Sequence, residues 1–541
     1  MGAYNSTLYS QQTNRILISN GLIHHQGREV MHLTRLISTT GLLAISLYAL
    51  TPQVYAACTL RLTAPGDGAT VRAANVTVYG QGGADANQGD SGTVTATING
   101  TPFFNYSGSF TAAVSFLQSR GVAVTLRPGL NFLSVSGSAG SCRAFDKMTV
   151  LYEPELELSK NKGAPDDGLS CNSPAKQQGN PINASIGNKY QAEEDYRREG
   201  TFPLLFTRHY NSFDGYWRHN YSTRLKIASN SLTLVQADGR ESKFSLSAGV
   251  ATAEATELGQ LAQNGSGWRY SSPTQELFDF DAQGQLTRWG NRNGQFHQLS
   301  YSNSSVTVED AVGNSFSFTQ DDHYQPLSVI VSGLTIGYQY DTQARLTKVT
   351  KTRSGSNEVR KFYYEDSRYP QFLTGITDER GIRYATWTYD DQGRAISSEH
   401  AGGADKILIS YNADGSSTVT NELGKTAIYR FQIIQGIKRI TAIEGNPTAN
   451  CPNSNSTFTY DTRGLLKTKT DNKGHITAFD YNTRGQEIRR TEASGTAQAR
   501  TMTTDWHPTL FLPAKVTEPK RIIQYQYDDQ GRQLSQTIIS R

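Results

Sequence analysis

Tyr389-Asp390-Asp391-Gln392-Gly393-Arg394 is a phrase that returns, with variations, through the second half of this chain of 541 residues. Close copies are Tyr460-Asp461-Thr462-Arg463-Gly464 and Tyr527-Asp528-Asp529-Gln530-Gly531-Arg532. Looser copies begin at Phe280, at Tyr340 with Asp341 after it, at Tyr411 and at Tyr481. A repeat of this kind determines the architecture before any single residue is interpreted.

Each copy is typical of a β-hairpin. Large and polar residues alternate before the phrase, as in Thr386-Trp387-Thr388-Tyr389, which places the large side chains on one face of a strand. The Asp or Asn bonds the backbone downstream of it and the Gly accepts positive φ, so the phrase itself is a turn. Turns that recur about every ten residues predict a continuous ribbon of short antiparallel strands, each hairpin packed on its neighbours.

The aromatic residue that opens the phrase is Tyr in six copies and Phe in one. We expect its ring to pack one hairpin on the next while its hydroxyl reaches a polar partner. A role in stacking on sugar rings is the alternative.

The phrase resembles the YD repeats of bacterial Rhs proteins, which are similar to the repeats of teneurin ectodomains. The upstream residues Phe206-Thr207-Arg208-His209-Tyr210-Asn211-Ser212 resemble the domain that precedes Rhs arrays. The resemblance covers about residues 180–541 and implies a shell that encloses a toxin. The chain has no Asp-Pro dipeptide, which the family's self-cleaving segment contains, and its array is short. The expectation is therefore a partial wall without a toxin of its own, whose last strand presents an unpaired edge.

The N-terminal residues 1–57 have the pattern of an export signal. Arg35 precedes the apolar run Gly41–Leu50, and the small residues around Ala56 suit a cleavage site. The polar residues before Met31 are unusual for a leader, so Met31 is the expected true start. The apolar run is too short for a good membrane-spanning helix.

The four cysteines, Cys58, Cys142, Cys171 and Cys451, predict disulfides in an exported chain. Three pairings are open. We predict Cys58–Cys142, which would tie the ends of one small domain, together with Cys171–Cys451. Lipidation of Cys58 is the alternative, and only then would the membrane be a partner.

The strand patterns divide the chain into five regions and predict an all-β protein. Residues 58–152 resemble a bacterial immunoglobulin-like β-sandwich, 153–179 have the composition of a linker, 180–275 form the Rhs-associated domain and 276–541 form the repeat array. Only Gln191 to Arg198 is a weak candidate for a helix.

Composition and motifs argue against catalysis. Basic and acidic residues are balanced at 52 and 48, so nucleic acid is not an expected partner. Catalytic, phosphate-binding and zinc motifs are absent, and no cofactor or metal is expected. Arg208-His209 and Arg218-His219 are the best cationic pairs, and a structural role is expected for both. The predicted function is an exported, non-enzymatic shell component whose partner is a C-terminal toxin or a further repeat segment. The alternative is a surface adhesin that binds glycans.

Overall fold

Antiparallel strands dominate the structure, a computed structural model that describes residues 58–71, 73–84, 91–127, 129–140, 142–152, 156–165, 176–302, 305–445 and 455–541. The predicted leader in residues 1–57, with Met31, lies outside the described residues, as do Cys171 and Cys451. Every described residue belongs to one unit of the chain, Tyr55–Arg541. The described residues contain no helix that is long and apolar enough to cross a membrane.

The first region is a sandwich of two sheets, with strand orders β1-β3-β6 and β2-β8-β7-β4-β5. Its core includes the fully buried Val78, Val94 and Val135. A disulfide joins Cys58 to Cys142, with their Cα atoms 5.9 Å apart, and so connects the first and last strands of the sandwich. The immunoglobulin-like resemblance stays a prediction. The strands are β1 Cys58–Ala64, β2 Ala69–Val71, β3 Asn75–Ala84, β4 Ser91–Ile98, β5 Thr101–Ser109, β6 Val122–Thr125, β7 Gly129–Ala139 and β8 Cys142–Tyr152.

One helix in the sandwich, α1 Phe110–Ser119, corrects the expectation that the chain has no convincing helix. The Oγ atom of Ser109 accepts a hydrogen bond from the backbone N–H of Ala112 at 3.0 Å and caps the helix. Phe110, Ala113, Val114 and Leu117 are its buried residues, at the spacing of one helical face. The weak helix candidate Gln191 to Arg198 was wrong, because these residues form part of a strand that pairs along its length with the next one.

Part of the predicted linker packs against the array. The short helix α2 Leu158–Asn161 and the residues around it are buried, and the backbone N–H of Glu157 donates to the carbonyl of Gly436 at 2.9 Å. The side chain of Asn161 donates to the same carbonyl at 2.8 Å. This segment therefore attaches the sandwich to the middle of the ribbon.

The Rhs-associated region forms two small sheets, of order β13-β12-β11-β10-β9 and β14-β15-β16-β17. Its strands are β9 Gln177–Gln178, β10 Ile182–Asn183, β11 Asn188–Arg198, β12 Leu204–Asn211, β13 Trp217–His219, β14 Arg224–Ile227, β15 Ser231–Val235, β16 Glu241–Ser247 and β17 Val250–Ala253. A 3-10 turn, Asn220–Ser222, follows β13.

One sheet of 26 strands in strict sequence order begins at Gln260 and includes the described strands of the predicted array, residues 276–541. Every neighbouring pair is antiparallel, as the repeat predicts. A second 3-10 turn is Ala401–Gly403. The strands are β18 Gln260–Asn264, β19 Gly267–Ser271, β20 Glu276–Phe280, β21 Leu286–Asn291, β22 Phe296–Tyr301, β23 Val306–Asp310, β24 Ser315–Gln320, β25 Pro326–Val331, β26 Leu334–Tyr340, β27 Leu346–Arg353, β28 Ser356–Tyr363, β29 Gly375–Thr377, β30 Arg383–Tyr389, β31 Ala395–His400, β32 Ile407–Tyr411, β33 Ser417–Thr420, β34 Thr426–Ile434, β35 Ile437–Gly445, β36 Ser456–Tyr460, β37 Leu466–Thr470, β38 Ile476–Tyr481, β39 Glu487–Glu492, β40 Arg500–Trp506, β41 Pro513–Thr517, β42 Arg521–Tyr527 and β43 Gln533–Ser540.

The ribbon curls until its two ends meet. The side-chain amide of Gln275 donates to the carbonyl of Phe511. A methyl group added at Gly531 would lie 3.0 Å from Cδ of Arg292. The turns at the start of the array thus touch those near Arg541, and we call this contact the seam. Turns at the two ends of the ribbon are therefore in contact, and the expected partial wall stays a prediction.

Candidate functional site: the concave face of the ribbon

The aspartate side chains of the repeat phrase accept hydrogen bonds from the backbone of their own turns. Oδ1 of Asp390 accepts hydrogen bonds from the backbone N–H groups of Gln392 and Arg394, both at 2.9 Å. Its Oδ2 accepts from Nε of Arg394 at 2.8 Å, and Gly393 has a φ of 75°. Three more turns, at Asp341, Asp461 and Asp528, repeat the two backbone bonds. These carboxylates are structural, as the turn mechanism predicts.

The tyrosines of the phrase tie each hairpin to the preceding one. The hydroxyl of Tyr389 donates to the carbonyl of Leu373 at 2.6 Å, and burial raises the pKa of this phenol well above its ordinary value. Equivalent bonds run from Tyr340 to Pro326, from Tyr411 to Ala395, from Tyr460 to Ile440, from Tyr481 to Leu466 and from Tyr527 to Pro513, at 2.6–2.8 Å. The expected packing role with a polar partner is therefore confirmed for these residues.

Aromatic side chains of the Rhs-associated region fill the inside of the curl. Phe206 lies 5.4 Å from Phe318 and 6.0 Å from Phe316, measured between ring centroids. Trp217 lies 5.1 Å from Phe362, and its indole N–H donates to the hydroxyl of Tyr364 at 3.0 Å. These contacts make one continuous hydrophobic core from both regions.

One residue of each cationic pair of the upstream motif lies in this core, whereas His209 is half-buried and lines the cavity described below. Arg208 is fully buried, forms an ion pair with Asp195 and stacks over the ring of Trp217 at 4.7 Å. Tyr338 of the array donates to the same carboxylate at 2.8 Å. His219 is also fully buried and bonds to Gln320 at 2.8 Å, and burial lowers its pKa to about 3. Both motif residues connect the region to the ribbon, which agrees with the structural role expected of them.

A cavity of about 590 Å³ remains between the packed linker segment, the Rhs-associated region and the array. Its charged walls are paired with one another: Nζ of Lys160 lies 2.6 Å from Glu254, and the hydroxyl of Tyr270 donates to Glu257 at 2.9 Å. A cavity of this size suits a small molecule. It cannot hold a protein domain, since a domain of 100 residues has a radius of gyration of about 13 Å.

The concave face becomes uncovered toward the end of the array. Ile523 and Ile538 face each other on that side, and Ile523 is 8% exposed whereas Ile538 is 58% exposed. Leu534 is 68% exposed, and the rings of Tyr525 and Tyr527 stack at 6.3 Å. The exposed apolar side chains thus lie on β43, whereas Phe458, Phe479 and Ile523 on earlier strands are buried.

Sequence reasoning missed several residues of this arrangement. Trp506 takes the place of a repeat tyrosine, and its indole N–H donates to the carbonyl of Glu487 at 2.8 Å. It was overlooked because His507-Pro508 follows it in place of Asp-x-x-Gly. The alternation of Met502, Thr504 and Trp506 was the available signal. Nothing in the sequence indicated the contact of Asn161 with Gly436.

Two family models match the chain. The model described as a domain of unknown function, DUF6531, matches residues 179–244, and the RHS repeat model matches residues 460–497.

One curated relative is the double-stranded DNA deaminase toxin A of Burkholderia cenocepacia (strain H111), which is 26% identical over 302 residues. The alignment covers 53% of this chain and 18% of the relative, so the chain spans less than a fifth of the relative's length.

Among solved structures, the crystal structure of TcdB2-TccC3 without its hypervariable C-terminal region is similar over 90% of this chain and 31% of that one. The identity is 11% and the TM-score is 0.28. The Photorhabdus luminescens Tc holotoxin pore is similar over 66% of this chain and 21% of that one, with 12% identity and a TM-score of 0.26.

Proposed function

Since the chain is an RHS-repeat protein with a DUF6531 domain ahead of its array, we propose that it forms the closed end of an exported shell that holds a toxin segment. The observation that carries the proposal is the gradient along the concave face. The inner face of the ribbon is filled by the Rhs-associated region in one continuous core, and the apolar residues Leu534 and Ile538 of β43 are exposed. A toxin segment would lie against this later face, because the earlier part has no room for one.

The proposed role is binding and enclosure rather than catalysis. The repeat aspartates bond their own turns, the repeat tyrosines bond the neighbouring hairpins, and Arg208 and His219 are buried in the core. The relative named as a deaminase toxin supports the connection to toxins, and we propose no deaminase activity for the described residues. The Cys58–Cys142 disulfide is compatible with the oxidising compartment that an exported protein reaches.

A reporter extension tests the proposal. An unstructured peptide with a protease site is joined after Arg541, and in a matched protein the same peptide is joined ahead of Cys58 in place of the leader. We expect the C-terminal reporter to be cleaved more slowly, and the double variant Leu534→Lys/Ile538→Lys to remove the difference. Equal cleavage of the two reporters would contradict a holding surface at this end.

The alternative, a surface adhesin that binds glycans, predicts saturable binding of the intact chain on a glycan array. The repeat tyrosines are poorly placed to stack on sugar rings. Their hydroxyls are hydrogen-bonded within the sheet, and their rings are at least half-buried. We therefore favour the shell function over glycan binding. Glycan binding that is lost on substitution of exposed aromatic residues would reverse this order.

A further inference from the structure

A row of three aromatic side chains lines the cavity between the linker segment, the Rhs-associated region and the array. Phe278 on β20 lies opposite Tyr270 on β19 and Trp289 on β21, so the three rings share one face of the sheet. The ring centroid of Phe278 lies 6.1 Å from that of Tyr270 and 5.9 Å from that of Trp289. The planes of Phe278 and Trp289 differ by only 9°, so these two rings form a flat strip along the cavity.

The strip lies where the hydrophobic core gives way to the cavity. The adjacent row on the same face, Trp268 opposite Phe280, is buried in the core, whereas Phe278 and Trp289 are only partly buried. On the other side of the strip, Glu276 accepts a hydrogen bond from Nε1 of Trp289 at 3.1 Å, which fixes the orientation of the indole. A ring of a ligand can thus lie on the strip with a carboxylate at its edge.

His209 presents a hydrogen-bond donor to the same cavity. Burial lowers its pKa to about 4, so the imidazole is neutral at physiological pH, and the accessible half of the ring faces the cavity. The hydroxyl of Tyr190 has no other acceptor among the described residues, so it donates to Nδ1 at 2.6 Å and leaves the ring proton on Nε2. Nε2 itself has no hydrogen-bond partner in the part of the chain that the structure describes.

Glu257 presents an acceptor beside the aromatic strip. Its Oε1 accepts from the hydroxyl of Tyr270 at 2.9 Å and from the backbone N–H of Gly259. Its other oxygen, Oε2, accepts no hydrogen bond from any described residue. A hydroxyl group can both donate and accept, so a ligand that carries several hydroxyls can satisfy this acceptor and the donor of His209.

The charges that line the cavity balance one another. Five basic and five acidic side chains line it, and the neutral His209 adds no charge. Nζ of Lys160 lies 2.6 Å from Glu254, and Nζ of Lys162 lies 3.2 Å from Asp214. A charged ligand that leaves water needs an opposite charge to pair with, and a balanced lining holds none in excess. The electrostatics therefore favour an uncharged ligand.

We propose that this cavity binds an uncharged carbohydrate, a mono- or disaccharide. The C–H face of a sugar ring would lie on Phe278 and Trp289, while hydroxyls of the ligand accept from Nε2 of His209 and donate to Oε2 of Glu257. The volume of about 590 Å³ lies within the range of about 300–1,000 Å³ that is usual for small-molecule sites.

The site is accessible and stands apart from the surfaces discussed above. Arg240 and Thr274 line the cavity and are exposed, so they lie at its opening. The shell function uses the apolar residues of β43, and an adhesin would use aromatic residues on the outer surface. Failure of sugar binding in the cavity would therefore leave the reporter-cleavage test of the shell unaffected.

Titration calorimetry of the intact chain tests the proposal, with maltose, cellobiose, lactose and N,N′-diacetylchitobiose as uncharged probes and with choline and citrate as charged ones. We expect saturable binding of a disaccharide, no binding of the charged probes, and new hydrogen-exchange protection in residues 254–259 and 268–278. Saturable binding of choline alone would assign the aromatic strip to a cation and contradict an uncharged ligand. Absence of binding by all four disaccharides would overturn the proposal.

Protein variants locate the binding. Phe278→Leu keeps an apolar side chain but removes the aromatic face, and we expect about fivefold weaker binding. Glu257→Gln keeps an oxygen for the hydroxyl of Tyr270 but removes the charged acceptor, and we expect about tenfold weaker binding. Phe296→Leu lies on the opposite face of the neighbouring strand β22 and is the matched control that leaves binding unchanged. Thermal unfolding shows that each variant is folded. Sugar binding that ignores both Phe278→Leu and Glu257→Gln would place the site elsewhere and overturn the proposal.

Discussion

The indole nitrogen of Trp506 lies 2.8 Å from the carbonyl oxygen of Glu487. In the other hairpins, a tyrosine hydroxyl makes the corresponding hydrogen bond to a backbone carbonyl of the preceding hairpin. Two chemically different side chains therefore make the same bond in one ribbon. The bond, rather than the identity of the residue, joins successive units, and its loss should have a similar cost in either case.

Removing one of these donors should destabilise the array. Tyr389→Phe leaves the buried carbonyl of Leu373 without its partner, and we expect the free energy of unfolding to fall by about 1–2 kcal/mol. Urea-induced unfolding followed by intrinsic fluorescence measures the change. Tyr106→Phe, at a tyrosine of the sandwich that is 36% exposed, is the control and should be close to neutral. Equal effects would mean that the hydroxyl of Tyr389 contributes nothing specific.

The carboxylate of the turn should matter through its acceptor geometry and not through its charge. Asp461→Ala removes an acceptor for the backbone N–H groups of Arg463 and Leu465, both at 2.9 Å, at an expected cost of about 1 kcal/mol. Asp461→Asn should retain most of the stability, because Asn482 performs the same task in the next turn. Asp480→Ala, on an exposed strand position of the same repeat, is the matched control. An Asn variant as unstable as the Ala variant would show that charge is required.

Acid should weaken the core in part through the buried His219. Burial lowers the pKa of His219 from 6.5 to about 3, so the unfolded chain binds a proton that the folded chain does not. The contribution of the neutral imidazole is fully present above pH 6.5 and is lost as the pH falls toward 3. One such proton gives a slope of about 1.4 kcal/mol per pH unit. Unfolding free energies measured between these limits should show a shallower slope for His219→Gln than for the parent, and His475→Gln, at an exposed turn, is the control. An unchanged slope in His219→Gln would assign the acid sensitivity to other groups.

Disulfide mapping of the purified protein tests both predicted cysteine pairs. Cys58–Cys142 is present in the structure, and its closed segment of 84 residues should contribute about 2–4 kcal/mol to the stability of the sandwich. Peptide mapping without reduction should recover this pair and, as a remaining prediction, Cys171–Cys451. A lipid-modified Cys58 in the intact mass would exclude the first bridge, since a thioether sulfur cannot form it.

Alanine substitutions at two glycines distinguish the effect of local backbone strain from the effect of disturbing the contact at the seam. Gly531 and Gly474 have almost the same φ, 80° and 81°, so alanine should cost each of them about 1–2 kcal/mol of backbone strain. Only at Gly531 would the new methyl group meet neighbours, 3.0 Å from Arg292 and from Leu510. We therefore expect Gly531→Ala, and not Gly474→Ala, to increase hydrogen exchange around residues 275 and 292. The same exchange pattern in both variants would show that the seam is not sensitive to this position.

The sequence predicted the ribbon well because its information is local. An Asp or Asn, a Gly and an alternating strand specify each hairpin within about twenty residues, and the antiparallel order follows from short connections. The helix Phe110–Ser119 was equally local, with Ser109 as its cap and a helical spacing of apolar residues, and was overlooked among the surrounding strand patterns. The meeting of Gln275 with Phe511 could not be read from the chain, since it depends on curvature accumulated over many strands.

The seam also sets an order for assembly. Neighbouring strands of the ribbon are close in sequence and can add one after another, whereas Gln275 and Phe511 are 236 positions apart. The loop-closure cost of that contact can be met only after the intervening strands have formed, which makes it a late event in folding. A ribbon that grows strand by strand from its N-terminal side would therefore stay open until the hairpins around Phe511 have formed.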